Sequence, residues 1–449
     1  MKGRFAGERV VVVGAGVAGT GAARVLAAEG ARVLVTEARS ASELASVAEL
    51  EASGVEVRTG GHDPSHLEHA TLMVVGPGVR PDAEVVRWAR ERGLRVWGEM
   101  ELGARLARAS YVGVTGTNGK TTVTSMVEAC LRAAGRDALA CGNIGLSFPE
   151  AVLEDHDVFV VEVSSFQLAL QESFHPSISV LLNVAPDHLD WHGGYEAYVE
   201  AKRRIHEHQT GADVHIGNRD DPVSAEISAA AHCEIRWFRH GSPQEGEVGY
   251  EGEELVARVG GFHRLGPIEA RSAGYREDAA AAAAVALASG ADPASVATAL
   301  DSFHPGPHRG EVVATVDGVR FVDNSKATNV HAAAAAIDAA GSVVLIAGGR
   351  AKGADLSPLR DHAARVRAVV AIGESAREVV EVFDGVAPVV TADSIEDAVR
   401  AAFGAADVGD TVLLAPACAS WDQFRDYAER GDRFVAAARS LRAEAGARG

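Results

Sequence analysis

The sequence predicts an α/β protein of three domains, and three observations predict it. Short β-branched runs recur between Ala-rich helical stretches in three series. Two glycine loops each stand between such a run and a helix. Apolar residues make up 47% of the 449 residues and aromatics only 5%, a composition suited to helices packed on sheets. At roughly 100–200 residues per domain, a chain of this length has room for about three cores.

The elements follow in order. "RVVVVG" from Arg9, "RVLVTE" from Arg32, "LMVVGPG" from Leu72 and "LRVWGE" from Leu94 read as strands of a parallel βαβ layer ending near residue 98. A second series, "SYVGVTG", "DVFVVEVSS" and "SISVLLN", reads as central parallel strands buried on both faces. The stretch from Ile216 to Pro267 is Gly-punctuated and alternating, and reads as an antiparallel edge or small subsheet. "DAAAAAAVALASG", from Asp278, is a helix whose alanines allow close packing. "FHPGPHRGE", Phe303 to Glu311, is the expected linker to a third α/β series: "SVVLIAGG", "AVVAIGE", "APVVTA" and "TVLLAPA".

Composition also excludes classes. A net charge of −19 argues against a general nucleic-acid surface, because phosphate backbones are bound through clustered Lys and Arg. Cys130, Cys141, Cys233 and Cys418 are scattered, with no C-x-x-C pair, so neither a disulfide framework nor a zinc site is expected and a reducing cytoplasm is. No apolar run approaches a membrane span, no signal peptide is recognisable at the N-terminus, and no membrane partner is expected.

Gly14, Gly16 and Gly19 follow a strand and open a helix, with Glu37 at the end of the next strand, the pattern of a Rossmann-like dinucleotide loop. Its physical content is broader than that label. Glycines let backbone approach a diphosphate, a helix N-terminus favours negative charge, and Glu37 can accept a ribose hydroxyl. NAD, FAD and a UDP-sugar all satisfy those needs, and a purely structural turn is the remaining reading.

The second loop, "VGVTGTNGKTTV" from Val112, departs from G-x-x-x-x-G-K-[ST], having Val114 where the first glycine belongs. Its chemistry is intact all the same. Gly116 and Gly119 remove side chains where phosphate approaches, Lys120 supplies a point charge, and Thr121 or Thr122 can place a hydroxyl on magnesium. With a strand before it and a helix after it, the loop predicts ATP binding in a P-loop-type domain. The plainer alternative is a Gly-rich turn with a capping Thr.

In fixed order come "TGTNGKTT", "GNIG" (Gly142 to Gly145), "VEVSSFQL" (Val161 to Leu168), "NVAPDHLDWH" (Asn183 to His192) and "EAKRRI" with Lys202. "HRGE" (His308 to Glu311), "DNSKATN" (Asp323 to Asn329), "GGRAKGAD" (Gly348 to Asp355) and "LLAPACASWDQFRDYAERGDRF" (Leu413 to Phe434) follow. Spaced in this way over nearly the whole chain, they resemble the Mur ligases of peptidoglycan synthesis. The last three segments are most similar to the member that adds D-glutamate to UDP-N-acetylmuramoyl-L-alanine.

The resemblance implies a Rossmann-like UDP-substrate domain (1–98), a central ATP-binding domain (99–305) and a C-terminal, Rossmann-like amino-acid-binding domain (306–449) in a monomeric, cytoplasmic enzyme. The implied chemistry moves the ATP γ-phosphate onto a carboxylate, and an amine attacks the resulting acyl phosphate. That task needs phosphate charge neutralised and no nucleophilic Ser or Cys. By resemblance, Lys120, Glu162, His188 and Lys202 are catalytic. Thr121, Glu162, His188 and a CO₂-carbamylated Lys202 surround two Mg²⁺ ions. The resemblance assigns ATP to Gly116, Thr117, Asn118, Gly119, Lys120, Thr121, Thr122, Asp278, Arg309, Asp323 and Lys326, with His308 beside them. It assigns the UDP substrate to Gly14, Ala15, Gly16, Val17, Ala18, Glu37, Arg39, Gly78, Asn143 and His188. Thr328, Lys352, Ser420 and Tyr427 match the glutamate pocket. Without the resemblance, His188 and Lys202 read as a satisfied histidine and a solvated lysine, and Ser420 and Tyr427 as a helix cap and a core aromatic. One departure stands out. Where the family shows H-N-x-x-N-A, this chain has "GYREDA", with Tyr275 and Asp278 at the asparagine positions. An ionised Asp only accepts hydrogen bonds, so half of an adenine contact is put in question.

Overall fold

The computed structural model describes residues 3–269 and 274–446. Three sheets form in three consecutive stretches. The first has β1 (Arg9–Val13), β2 (Arg32–Thr36), β3 (Glu56–Arg58), β4 (Leu72–Val75) and β5 (Arg95–Gly98), all parallel in the order β3-β2-β1-β4-β5. The second has β6 (Ser110–Thr115), β7 (Ala138–Gly142), β8 (Val158–Glu162), β9 (Ile178–Leu181), β10 (Val214–Asn218), β11 (Glu234–Phe238), β12 (Glu247–Glu251), β13 (Glu254–Arg258) and β14 (Phe262–Pro267). Their order is β14-β13-β12-β11-β10-β9-β6-β8-β7. The third has β15 (Glu311–Val316), β16 (Val319–Asp323), β17 (Val343–Gly348), β18 (Val366–Ile372), β19 (Val389–Thr391) and β20 (Thr411–Leu414), in the order β15-β16-β20-β17-β18-β19.

Side-chain alternation explains why these strands are apolar throughout. In the first sheet Val10, Val12, Val33, Val35, Leu72 and Val74 join one core, with Ala22, Val25 and Leu26 of the helix Val17–Ala28. The interleaved Val11, Val13, Leu34, Met73 and Val75 join another, with Val85, Val86 and Ala89 of the helix Glu84–Glu91. The third sheet repeats the arrangement, with Val344, Ile346, Val370 and Leu414 on one face and Val343, Leu345, Val369 and Leu413 on the other. A parallel strand covered on both faces has no polar side to show.

The parallel part of each sheet changes winding direction, at the kind of place where loops leaving strand C-termini commonly frame a crevice. These places lie between β1 and β4, around β6 flanked by β8 and β9, and between β17 and β20. The chain divides into two compact units. One comprises Met1–Val184, Val199–Ile268 and Glu277–Ser302; the other comprises Ala185–Tyr198, Glu269–Arg276 and Phe303–Gly449.

Within the first unit, a polar seam ties the first sheet to the second. Glu101, on the helix Glu99–Leu106, accepts hydrogen bonds from the backbone N–H groups of Glu172 and Ser173 (both 2.9 Å), the Ser173 hydroxyl and Arg105 Nε (2.6 Å). Beside it, Trp97 Nε1 donates to Glu172 Oε2 at 2.9 Å, with the Arg105 guanidinium 4.4 Å from the indole centroid.

The stretch from Ile216 to Pro267 departs from expectation. β10 and β11 are parallel strands joined through the helix Pro222–Ala229, and only β12 to β14 pair antiparallel. The antiparallel pair β15–β16 is an addition to the expected third series. The alanine run packs as expected, with Ala279 to Ala283 each 0% exposed.

Candidate functional site

A cavity of about 620 Å³ lies within the first unit. From the first sheet it is lined by Gly14, Gly16, Val17, Ala18, Gly19, Glu37, Arg39, His62 and the Gly76–Gly78 turn. From the second come the Gly142–Gly145 loop with Asn143, Ser147 and Gln167, and Glu99 stands at the exit of β5. The glycine loop runs from β1 into the helix Val17–Ala28. A β-carbon at Gly19 would collide with the Gly14 carbonyl, so the third glycine serves helix–strand packing. Val17 is 79% exposed at the helix start.

Glu37 is more fully engaged than the sequence reading allowed. Its carboxylate accepts Ala15 N–H (2.8 Å), Arg39 N–H (3.0 Å), Arg39 Nε (3.2 Å) and Arg39 Nη2 (3.0 Å). Burial alone would raise its pKa, but these donors and the Arg39 charge bring it down to about 2. In the structure Glu37 thus braces the glycine loop and holds Arg39 in place.

The second loop leaves β6 and enters the helix Lys120–Ala133. Gly119 sits in the left-handed region at φ 83°, where a β-carbon would also collide with the Asp278 carboxylate. Asp278, one of the two departures from the family motif, thus packs against the loop. Asn183, just beyond β9, clamps the loop from beneath: its carbonyl accepts Thr117 N–H and its side-chain oxygen accepts Asn118 N–H, both at 2.9 Å. Thr121 and Thr122 occupy the first helical turn.

Two ammonium groups converge on this loop. Lys120 Nζ donates to Gly116 O (2.9 Å) and Thr117 O (2.8 Å). Lys202 Nζ, from the helix Tyr195–Arg203, donates to Gly116 O (2.6 Å) and Thr115 Oγ1 (3.0 Å) while the residue is only 1% exposed. Glu162 ends β8 at 2% exposure; Asn143 Nδ2 donates to its Oε1 at 2.8 Å, and its Oε2 has no hydrogen-bond partner. A buried carboxylate with an unmet lone pair fits a cation, since burial without compensation is costly. Among the described residues no three His, Cys, Asp or Glu side chains cluster as a ready-made metal site.

His188 belongs to the second unit, as does its neighbour Asp187. His188 has φ 54° and starts the short helix Leu189–His192. Asp187, which the sequence reading passed over, accepts Lys352 Nζ at 2.6 Å, His188 N–H at 2.9 Å and Asn329 Nδ2 at 3.4 Å. Lys352 therefore stands in a buried ion pair. Loops after β16, β17 and β20 are stitched together by Ala417 N–H to Ala327 O (3.0 Å) and by Arg350–Ala419 pairing. Thr328, Lys352 and Ser420 leave from these three loops. Tyr427 opens the helix Tyr427–Gly446, with Lys326 Nζ 4.0 Å from its ring centroid.

His308 Nδ1 lies 2.6 Å from Asp323 Oδ2, and Asp323 Oδ1 accepts Ser325 N–H at 3.0 Å. Arg309 Nη1 donates to Pro307 O at 3.1 Å. Tyr275, the other departure from the motif, is buried and donates to Phe303 O at 3.1 Å. Arg430, also missed in the sequence, is fully buried, donating to Ser325 Oγ, Ser325 O and Cys418 O; burial lowers its pKa to about 10. Only its place inside the quoted "YAERGDRF" could have drawn attention to it.

Three family profiles match the chain in sequence: the MurD-like N-terminal domain of Mur ligases over residues 8–98, the Mur ligase middle domain over 114–254, and the Mur ligase glutamate ligase domain over 308–418. A UDP-N-acetylmuramoylalanine–D-glutamate ligase of Frankia casuarinae is 45% identical over 449 residues, covering 97% of this chain and 95% of that protein. The enzyme of the same name from Thermobifida fusca is 42% identical, covering 98% of this chain and 99% of its own. Among solved structures, a UDP-N-acetylmuramate–alanine ligase from Thermotoga maritima superposes with TM-score 0.61 at 16% identity, covering 96% of this chain and 99% of that one. A type C pseudomurein peptide ligase from Methanothermus fervidus gives TM-score 0.59 at 18% identity, covering 91% and 96%. At those identities the structures speak to the fold alone.

Proposed function

The chain belongs to the Mur ligase family, and from that premise we propose that it is the ATP-dependent ligase that joins D-glutamate to UDP-N-acetylmuramoyl-L-alanine in peptidoglycan synthesis. The observation that carries this reading is the 45% identity to a D-glutamate-adding relative across 97% of the chain. The two glycine loops suit it, because a nucleotide-sugar and ATP are two phosphate-bearing substrates. Neither loop needs a nicotinamide.

In the reaction, a substrate carboxylate oxygen attacks the γ-phosphorus and the bond to ADP breaks. The D-glutamate nitrogen then attacks the acyl carbon, the bond to phosphate breaks and the amine loses its proton. Charge neutralisation and positioning dominate such chemistry. We assign Lys120 and the loop Gly116–Thr122 to the ATP phosphates, with Asp278, Arg309, Asp323 and Lys326 as further nucleotide contacts. Gly14–Ala18, Glu37, Arg39, Gly78 and Asn143, together with His188, go to the UDP substrate; Thr328, Lys352, Ser420 and Tyr427 go to D-glutamate. The unpartnered Glu162 oxygen supports a magnesium role for Glu162 with Thr121, His188 and Lys202, and Mg²⁺ held there would screen the phosphate charges.

Lys202 carries carbamate in this reading: its ammonium nitrogen bonds to CO₂ and releases two protons. One N–H remains, enough to keep either the bond to Thr115 Oγ1 or the bond to Gly116 O, not both. The three-domain division at 1–98, 99–305 and 306–449, a monomeric state and a cytoplasmic setting belong to the same proposal. No helix among the described residues is long and apolar enough to cross a membrane.

The test is ADP release measured across UDP-muramoyl acceptors and D- and L-amino acids. Turnover confined to UDP-N-acetylmuramoyl-L-alanine with D-glutamate is the expected result. Equal turnover with L-glutamate, or none with either, defeats the assignment.

A further inference from the structure

Glu99 lines the 620 Å³ cavity yet is 2% exposed, and it has no role in the assignments above. It opens the helix Glu99–Leu106 directly after β5. Its hydrogen bonding can be read atom by atom. Gln167 Oε1 accepts both Ser164 N–H and Ser164 Oγ–H, each at 2.8 Å, so the Gln167 amide is fixed in orientation and its NH₂ must face Glu99. Gln167 Nε2 donates to Glu99 Oε1 at 2.6 Å. Glu99 Oε2 has no partner of hydrogen-bond geometry.

A side chain that served only to hold Gln167 would need one acceptor, and the second oxygen would be surplus. Leaving it unpaired inside the protein is unfavourable unless something else meets it. Burial pushes the Glu99 carboxyl up to about 7, against the pull of Gln167 and the amides at the helix start, so the ionised form is only marginally supported by the protein itself.

Glu99 is one of the residues that line the cavity, where a bound ligand can bring a donor. The cavity's glycine loop suits a diphosphate, whereas Glu99, Gln167 and Asn143 offer side-chain polar groups suited to the uncharged remainder of a nucleotide-sugar. We infer that Glu99 is a specificity-determining residue of this site, its Oε2 accepting a hydrogen bond from an N–H or O–H donor on the sugar-peptide portion of the acyl substrate. The inference rests on the nucleotide-sugar reading under Proposed function.

Glu99→Gln is the discriminating variant. Gln167 still needs an acceptor, so the new amide turns its oxygen to Gln167 and leaves NH₂ where Oε2 was, a donor facing a donor. The variant removes a buried charge without changing shape, and thermal melting checks its fold. Expected is at least a tenfold rise in KM for UDP-N-acetylmuramoyl-L-alanine, with KM for ATP and the affinity for UDP alone unchanged. A matching loss of affinity for UDP-N-acetylglucosamine places the donor on the sugar, and its absence places it on the alanyl amide. An unchanged KM, or an equal loss for UDP, overturns the inference.

Should the variant fail to fold, calorimetry on the wild type in two buffers of different ionisation enthalpy decides instead. Near pH 7, a donor arriving at a half-protonated Glu99 releases protons on binding the sugar-peptide, while UDP does not. Glu37, Arg39 and His62, the other titratable groups lining the cavity, face both ligands, so the difference belongs to Glu99. No difference overturns the inference. A wild type that neither binds nor ligates the sugar-peptide brings down the functional reading as well, whereas normal ligation with an unchanged KM in Glu99→Gln brings down this inference alone.

Discussion

Lys202 carries a positive charge into a site 1% exposed, where its partners include the Thr115 hydroxyl and the Gly116 carbonyl of the phosphate loop. Composition and periodicity say nothing of that position; a lysine on a short amphipathic helix reads as solvated, and only the family resemblance singled it out. Lys202→Ala should lower turnover by roughly 10²–10³-fold, the scale of losing one preorganised charged group. Formate or acetate should restore part of it by occupying the space of a carbamate. Lys202→Arg should show no rescue, because arginine keeps the charge and fills the site. Initial rates of ADP release with and without 100 mM-scale carboxylate, about the level needed for a weak ligand, check this, and rescue of the arginine variant would refute the carbamate assignment. Other single residues were legible only as types. Glu37 was expected in the first loop, but its saturation by Ala15 and Arg39 depends on distances no pattern encodes. Asp187 stood in a quoted motif, and its pairing with Lys352 spans 165 positions of sequence.

Elements were easier to read where burial was complete. The inner strands of the first sheet and the core strands of the second and third are largely apolar runs, because both faces are covered, and those runs are what the sequence displays. β3 has only "EVR" and is mostly exposed, so no run announced it. β15 and β16 carried a signal that went unread: "ATVDGVRF" alternates around Asp317-Gly318, whose φ values of 48° and 79° suit a tight hairpin turn. The helix Glu99–Leu106 offers an element-scale prediction. Both carboxylates of its first turn are buried, which propensity alone never requires, and Glu101 answers four donors from the Glu172–Ser173 backbone, the Ser173 hydroxyl and Arg105. Glu101→Gln confronts these donors with an NH₂ group and should cost about 1–3 kcal/mol of stability. Urea unfolding followed by circular dichroism measures it, and an unchanged midpoint would mean the seam tolerates a neutral partner.

At the scale of the whole molecule, stability carries a pH signature set by buried imidazoles. His215 is 0% exposed, and its tautomer follows from its partners: Ser179 spends its hydrogen on Gln209 Oε1, so His215 Nδ1–H donates to Ser179 and Nε2 accepts from Ser228. Burial holds its pKa well below 6.5, and burial likewise lowers that of His206, whose ring lies 4.9 Å away. The unfolded chain takes up protons there below pH 6.5 and the fold does not. Their contribution is therefore complete above pH 6.5 and shrinks as pH falls, by up to about 1.4 kcal/mol per unit for each group. Glu99, pushed up to about 7, works in the opposite sense. In Glu99→Gln, where that opposition is gone, urea midpoints should be flat above pH 7 and fall between about pH 6.5 and 5. A flat profile throughout would clear His215 and His206 of any such role.

The seam inside the first unit also gives the protein an optical property. Trp97 is 4% exposed, its N–H rests on Glu172 at 2.9 Å, and the guanidiniums of Arg105 and Arg95 stand 4.4 and 5.3 Å from its ring centroid. Light absorption shifts electron density across an indole, so the colour of its emission registers the field of these charges. Trp421, at 61% exposure, emits from water and supplies an internal reference. Movement of the Arg105–Glu172 pair would thus shift the emission of Trp97 and leave that of Trp421 constant; with Trp88, Trp191 and Trp237 replaced by Phe, so that only these two of the five tryptophans emit, the junction of the first two sheets becomes readable without an attached dye.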